Sequence, residues 1–466
     1  MRPSAFVSTL AVVLAIRPGP VAAQAPSAEA FRGGVPSGTA TAEVLSLTLD
    51  DAITRGLQHN LGLILGRERV REAEGARREA RADLLPQVRA GAYSLRETVS
   101  LAALGFSGLP GLPVLLEIIG PFNVVDARGY VSQAVFDLHA IRHARAAALD
   151  AKAAEHQQRR TRDDVVFACA HLYLEAVAGE SRIAAVRAQL TTARALYDLA
   201  SDRKKSGLVA GIDVLRAEVQ LAAQRQRVIV AEEDAAKQKL ALARAIGLPL
   251  GQALRLADEM PFAAPPPIAN EEALQRAYAT RADLQAAQAR VQAAEQERRA
   301  AVGEGLPSVG VSGDYGAIGS NLSGARPTYT VSVSLRVPVF EGGRVQARAQ
   351  QAAARLQQAR ASLEDLRAGV YYEIQSTLLD LKATEQRVGV ATSAFALAEQ
   401  QLEQAQDRFA AGVAGNIDVT QAQEALARAA EDRIQSLFEH NLSKALLARA
   451  MGAAESSYGD FLRGRQ

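Results

Sequence analysis

From Thr328 to Val339 the chain alternates. Tyr329, Val331, Val333, Leu335, Val337 and Val339 are apolar, and Thr328, Thr330, Ser332, Ser334 and Arg336 between them are polar. A period of two marks a β-strand with one apolar and one polar face. At Phe340-Glu341-Gly342-Gly343 the period changes. Apolar or small residues then fall at Val345, Ala349, Ala352, Leu356, Ala359, Leu363, Leu366 and Val370, in alternating steps of four and three. That spacing is a coiled-coil seam. It predicts a two-faced strand feeding directly into a very long helix. A strand whose apolar face meets no evident partner layer suggests a membrane barrel, and the helix must then run on through water. A second seam of the same spacing runs from Cys169 through Leu172, Ala176, Ile183, Leu190 and Ala193 to Ala200.

The pattern occurs twice, and a repeat decides architecture before any motif does. Val70, Ala73-Glu74, Arg77-Arg78 and Leu85-Pro86 match Val291, Ala294-Glu295, Arg298-Arg299 and Leu306-Pro307, at an offset of 307 − 86 = 221. Gly207…Gly211-Ile212-Asp213-Val214 matches Gly412…Gly415-Asn416-Ile417-Asp418-Val419 at 412 − 207 = 205. The offset drops by 16 between these blocks, so the first copy carries extra residues, assigned to the apolar stretch Thr98–Val125. Each unit reads helix, strand, loop, strand, long helix, tight turn, helix. The predicted first unit covers 47–247 and the second 270–452, with a Pro-rich linker at 248–269 and a C-terminal tail at 453–466. Single helices are predicted over Leu47–Asp83 and Asn270–Ala301. Strands are expected near Pro86–Arg96, Arg128–Val135, Leu306–Tyr315 and Thr328–Val339, and long helices over His139–Lys205 and Arg344–Ala411. At 1.5 Å per residue His139–Lys205 spans roughly 100 Å, a length suited to bridging a compartment.

Four strands do not close a barrel, and lipid pairs no backbone group at an open sheet edge. The chain is therefore expected to oligomerise, each protomer giving four strands to a shared barrel and its helices to a shared tube.

Composition agrees with long packed helices: aromatics are 5 % of the 466 residues and Trp is absent. The net charge of +2 gives no bulk electrostatic case for nucleic acid. Arg2, the apolar run Ala5–Ile16 and Val21-Ala22-Ala23 predict a signal peptide over 1–23, followed by an N-terminal extension at 24–46. No later stretch is apolar enough for a spanning helix. The single Cys169 makes no internal disulfide and reads as a small buried hydrophobe.

With the duplication, the Val337-Pro338-Val339-Phe340-Glu341-Gly342-Gly343 junction and the two Gly…Asp-Val turns together, the chain resembles the TolC-like outer-membrane efflux channel family from about Leu47 to Gly452. The resemblance implies a homotrimer with a twelve-stranded transmembrane β-barrel in outer-membrane lipid and an all-α periplasmic helical barrel. It implies an exit duct of a tripartite efflux or type I secretion system, docked on a periplasmic adaptor (membrane fusion protein) and an inner-membrane pump. The turns are then periplasmic tips, with Ser206, Gly207, Leu208 and Asp213, and Ala411, Gly412 and Val413, as adaptor contacts. Asp418 matches a position where the family places a pore-facing Asp. Gln421 stands where a second Asp is common. The pair is thus the expected pore gate.

Other signals carry less. His139 and His143 lie four apart at a helix start, but no third ligand stands nearby in sequence, and no metal is expected. Arg203-Lys204-Lys205 reads as a solvated helix end favouring the C-terminal dipole, with an adaptor contact or a lumen charge as the sharper alternative. No phosphate loop and no nucleophile–base pair is found, so neither a cofactor nor an enzyme is expected. A periplasmic coiled-coil adaptor or scaffold is the alternative reading. It explains the heptads but not the duplication or the two-faced strands.

Overall fold

The alternating segment forms the edge of an antiparallel sheet. A computed structural model of the chain describes residues 33–463 apart from 101–102, 104–117, 208, 261, 263–267 and 414. The expected signal peptide at 1–23, most of the extra apolar stretch, Leu208 and the Pro265-Pro266-Pro267 run lie outside the described residues. The elements are β1 (Leu45–Leu47), α1 (Leu49–His59), α2 (Leu61–Ala82), β2 (Gln87–Ser100), β3 (Ile118–Phe136), α3 (Leu138–Lys205), α4 (Gly211–Ala245) and β4 (Leu254–Leu256). They continue with α5 (Asn270–Thr280), α6 (Ala282–Gly303), β5 (Ser308–Gly319), β6 (Arg326–Arg336), α7 (Arg344–Ala410), α8 (Asn416–Ala450) and α9 (Ala454–Arg463).

The sheet has the order β2-β3-β5-β6, so the two copies meet at β3 and β5. Register puts the apolar sets on one face: Val333 lies opposite Val311, Tyr329 opposite Tyr315, Val131 opposite Gly313 and Val88 opposite Val131. Val88 is 77 % exposed, Val331 73 % and Val333 72 %, so no described residue covers this face. The other face carries Tyr93, Asp126, Arg128, Asp314, Thr328 and Ser332. The outer edges of β2 and β6 have no partner strand among the described residues. β2 and β3 are longer than their weak alternation suggests, because ladder pairing holds them as far as Ser100 and Ile118.

The helices correct one expectation. Neither Leu47–Asp83 nor Asn270–Ala301 is a single helix. Each breaks once, at Asn60 and at Arg281, and 281 − 60 = 221 repeats the offset of the sequence match. Both break residues take extended backbone, with ψ of 130° and 120°. Asn60 caps α2 by accepting the Gly62 N–H at 2.8 Å while fully buried. Segments before and after the first unit are also stitched together. β1 pairs in parallel with β4, Leu45 with Leu254 and Leu47 with Leu256, and Tyr173 Oη donates to Leu47 O at 3.0 Å beneath them. Three-residue strands have no readable period. The segment after Gly452 carries α9, held to α3 by the Arg162–Glu455 ion pair.

Two apolar clusters anchor the helical body, one centred on each copy, and the first also takes in Ala445 of α8 and Ala454 of α9. The first joins α1, α3 and the β1–β4 pair around Ile53, Val166 and Ile246. Cys169 belongs to it, its thiol pushed up to about 12 by burial. The second joins α5 to α8 around Leu284, Ile374 and Leu447. A third, Leu196, Leu402, Phe409 and Val419, ties the far ends of the two hairpins together.

Candidate functional site

The polar sheet face carries a compact charged group. Arg128 Nε donates to Asp126 at 2.9 Å, another of its nitrogens pairs with Asp314, and Tyr93 Oη donates to Asp126 at 3.2 Å. Asp126 is only 3 % exposed. Gly316 makes room: a Cβ there would lie 2.1 Å from that of Arg128. A sheet with apolar residues outward and paired charges inward is a wall segment of a water-filled membrane barrel.

The strand-to-helix junction follows from its residues. Pro338 donates no ladder hydrogen bond. Gly342 and Gly343 take φ of +61° and +81°, values that disfavour any side chain, and Gly343 is the residue from which α7 starts. The two glycines face open space, so conformation and not crowding requires them. Arg344 closes the turn with an ion pair to Glu341 at 2.8 Å.

At the other end of the long helices the turns are built alike. Ser206 and Ala411 cap α3 and α7, and Gly207 and Gly412 follow, both at φ +74°. Gly207 N–H donates to Lys204 O at 3.0 Å and Gly412 N–H to Phe409 O at 3.1 Å. Val413 is 68 % exposed. Asp213 sits in the first turn of α4, 3.5 Å from Arg216. Asp418 sits in the first turn of α8, where its carboxylate accepts the Gly415 N–H at 3.3 Å. Asp418 and Gln421 are both exposed, three residues apart on one helix.

Two features escaped the sequence. Arg203 is not a solvated helix end: it donates to Phe409 O at 2.7 Å and to Ala410 O, and its guanidinium lies 5.1 Å from the Phe409 ring. It therefore ties the end of α3 to the end of α7, while among the described residues Lys205 pairs with Asp202 of its own helix, at 2.8 Å. The helical body also holds a buried network of three arginines and three carboxylates. Arg281 Nη1 donates to Glu373 at 2.7 Å and Arg449 Nη1 to the same carboxylate at 2.9 Å. Arg449 Nε reaches Asp164 at 2.7 Å, Arg281 Nη2 reaches Asp283 at 2.7 Å, and Arg160 links Asp283 and Asp164. The histidine pair has neighbours that sequence distance concealed, since His143 Nδ1 lies 2.8 Å from Glu297 and His139 Nδ1 3.5 Å from Glu304. Among the described residues no group of three or more His, Cys, Asp or Glu side chains is placed to hold a metal ion. No described helix is long and apolar enough to cross a membrane.

An uncovered apolar sheet face, a polar inner face and helices about 100 Å long define the subunit of a membrane channel with a tubular extension. Comparison with known proteins makes this specific. The family described as outer membrane efflux protein matches residues 53–248 and 273–453. The chain belongs to that family and is an outer-membrane exit duct. The pyoverdine export outer membrane protein OpmQ of Pseudomonas putida is 25 % identical over 417 residues, 87 % of this chain and 85 % of the relative. OpmQ of Pseudomonas aeruginosa is 23 % identical over 88 % of this chain and 86 % of its own length. Among solved structures, VceC of Vibrio cholerae matches with a TM-score of 0.74 at 23 % identity, over 87 % of this chain and 96 % of its own. The CmeC outer membrane channel of Campylobacter jejuni matches with a TM-score of 0.77 at 16 % identity, over 90 % and 87 %. The two matched blocks leave residues 249–272 between them.

Proposed function

We propose that three copies of this chain close a twelve-stranded barrel and a helical tube, and that the tube docks on a periplasmic adaptor and an inner-membrane pump to export small molecules. The observation that carries the reading is the sheet. It has an apolar face open to lipid and two unpaired edges, and lipid tolerates no unpaired edge. Neighbouring copies supply the missing partners by pairing β6 of one with β2 of the next. The helices support the same assembly. On α4, Ile212, Leu215, Val219, Ile229 and Leu240 are exposed at coiled-coil spacing, an apolar seam without a cover inside one protomer. The name of the relatives, pyoverdine export outer membrane protein, supports small-molecule cargo. Mass measured in detergent should give three chains per particle, and a stable monomeric barrel would overturn the architecture.

At the tips, Ser206, Gly207, Leu208, Asp213, Ala411, Gly412 and Val413 are the proposed adaptor contacts, and Asp418 with Gln421 the proposed gate. Three-fold symmetry turns a lumen-facing carboxylate into a ring that attracts cations and repels anions. Asp418 also accepts the Gly415 N–H, so capping and gating share one residue. Asp418→Asn separates them, since Asn caps nearly as well without charge. Cation selectivity in planar bilayers should fall in the variant. Unchanged selectivity would reduce Asp418 to a cap.

A further inference from the structure

Some way from the tips, a cavity of about 150 Å³ lies between the α3/α4 hairpin and the α7/α8 hairpin. Gln189 of α3, Gln224 of α4 and Gln423 of α8 form its polar wall, and Phe395, Leu402 and Leu426 its apolar wall. Gln224 is 2 % exposed and Gln423 6 %. The Gln224 side-chain oxygen is buried and has no hydrogen-bond partner. Unmet buried amide groups are rare, because the group has left water and gained nothing in exchange. Here the unmet group belongs to a side chain that lines a void.

We propose that this cavity is a binding site for a small neutral phenol, a single aromatic ring carrying one hydroxyl. Size sets the ring, since an apolar cavity of about 150 Å³ admits a benzene-sized molecule. Phe395, whose ring carries the Arg433 guanidinium 5.0 Å from its centroid, lines the cavity and supplies an aromatic contact for it. The amides set the hydroxyl. A phenolic O–H donates to the Gln224 oxygen and can accept an N–H from Gln189 or Gln423, whichever way those amides turn. Charge sets neutrality: the only ionisable residue lining the cavity itself is Glu399, which is exposed, and Arg433 lies beyond the Phe395 ring in the adjoining recess, so a charged ligand would lose water without meeting a counter-ion inside the cavity. Entry is available through an adjoining recess of about 500 Å³ that shares Ala185, Phe395 and Ala430 with the cavity. One water molecule would satisfy Gln224 but leave the Phe395–Leu402–Leu426 wall wet. An occupant contacts both hairpins and so braces one copy of the duplicated unit against the other.

The test uses the full-length protein assembled in detergent, titrated with 4-fluorophenol and followed by fluorine NMR, with fluorobenzene as the isostere lacking the hydroxyl. The parent should show a saturable shift with 4-fluorophenol and weaker binding of fluorobenzene. Gln224→Leu should weaken 4-fluorophenol about tenfold, the effect of one hydrogen bond to a buried amide. Ala430→Leu, which fills the cavity, should abolish saturable binding while particle mass and helix content stay unchanged. Should that variant fail to assemble, Ala185→Leu fills the cavity from α3. Absence of a saturable shift in the parent would mean water fills the cavity and would overturn the proposal. So would a shift that persists in the filled variant, which is micelle partition, or equal affinity in Gln224→Leu.

Discussion

Glu373→Gln should weaken the helical body through one identifiable loss. Glu373 is 4 % exposed and takes a hydrogen bond from each of two arginines, Arg281 at 2.7 Å and Arg449 at 2.9 Å. Those arginines are 1 % exposed or less in their side chains. With Arg160, Asp164 and Asp283 the group sums to three positive and three negative charges. The amide keeps the volume of the carboxylate, so packing is preserved and the charge balance is not. One guanidinium loses its anion, and the new NH₂ faces a donor. Breaking a buried pair by removing one partner costs about 3–5 kcal/mol, mostly from the charge left behind. At about 2.1 cal/mol/K of unfolding entropy per residue, a chain this long loses roughly 1 °C per kcal/mol. The calorimetric midpoint in detergent should therefore fall by about 3–5 °C. Removing the stranded charge should recover part of it, so Glu373→Gln with Arg281→Met should melt above Glu373→Gln alone. A shift under about 1 °C, or a double variant that melts lower than both singles combined, would show that the network is not held by charge pairing.

Three further outcomes follow from single contacts. Arg203→Met removes both hydrogen bonds to the α7 terminus and the contact with the Phe409 ring, so mean conductance in planar bilayers should rise. Lys205→Met should leave conductance near the parent value because Lys205 pairs within its own helix, and equal effects of the two would refute the tie. Gly343→Ala forces a Cβ into φ +81° and should cost about 1–2 kcal/mol, read as a lower melting midpoint. Lys444 is buried and held down at about 8, below its unfolded value of 10.5. Below pH 8 the folded and unfolded chains both hold the proton, so this group adds no pH dependence to stability there. As pH rises from 8 towards 10.5 the unfolded chain holds more protons than the folded one, so stability rises. The melting midpoint of the parent should therefore rise between pH 8 and pH 10 relative to that of Lys444→Met, and parallel pH profiles of the two would refute the linkage.

What the sequence revealed depended on whether a feature repeats. Tyr329, Val331, Val333 and Leu335 declare their face at every second residue, and the sheet places all four on the exposed apolar side. Gly207 and Gly412 announce matching turns because only φ near +74° suits the path. Features made by residues far apart in the chain were hidden. The β1–β4 pair is three residues long, and the breaks at Asn60 and Arg281 interrupt helices whose apolar spacing runs on across them. Arg203 reads as a charged helix end until the end of α7 is beside it. Glu373 is the instructive case. The α7 seam steps from Leu366 to Val370 and next requires an apolar residue three further on, where Glu373 stands. A carboxylate on a buried seam is tolerated only with a cation to meet it. The intrusion is the one trace of the network along the α7 seam, three residues past the point where the seam was read. It does not say which cations: Arg281 and Arg449 stand 92 and 76 residues away, and only the folded helices bring them to one carboxylate.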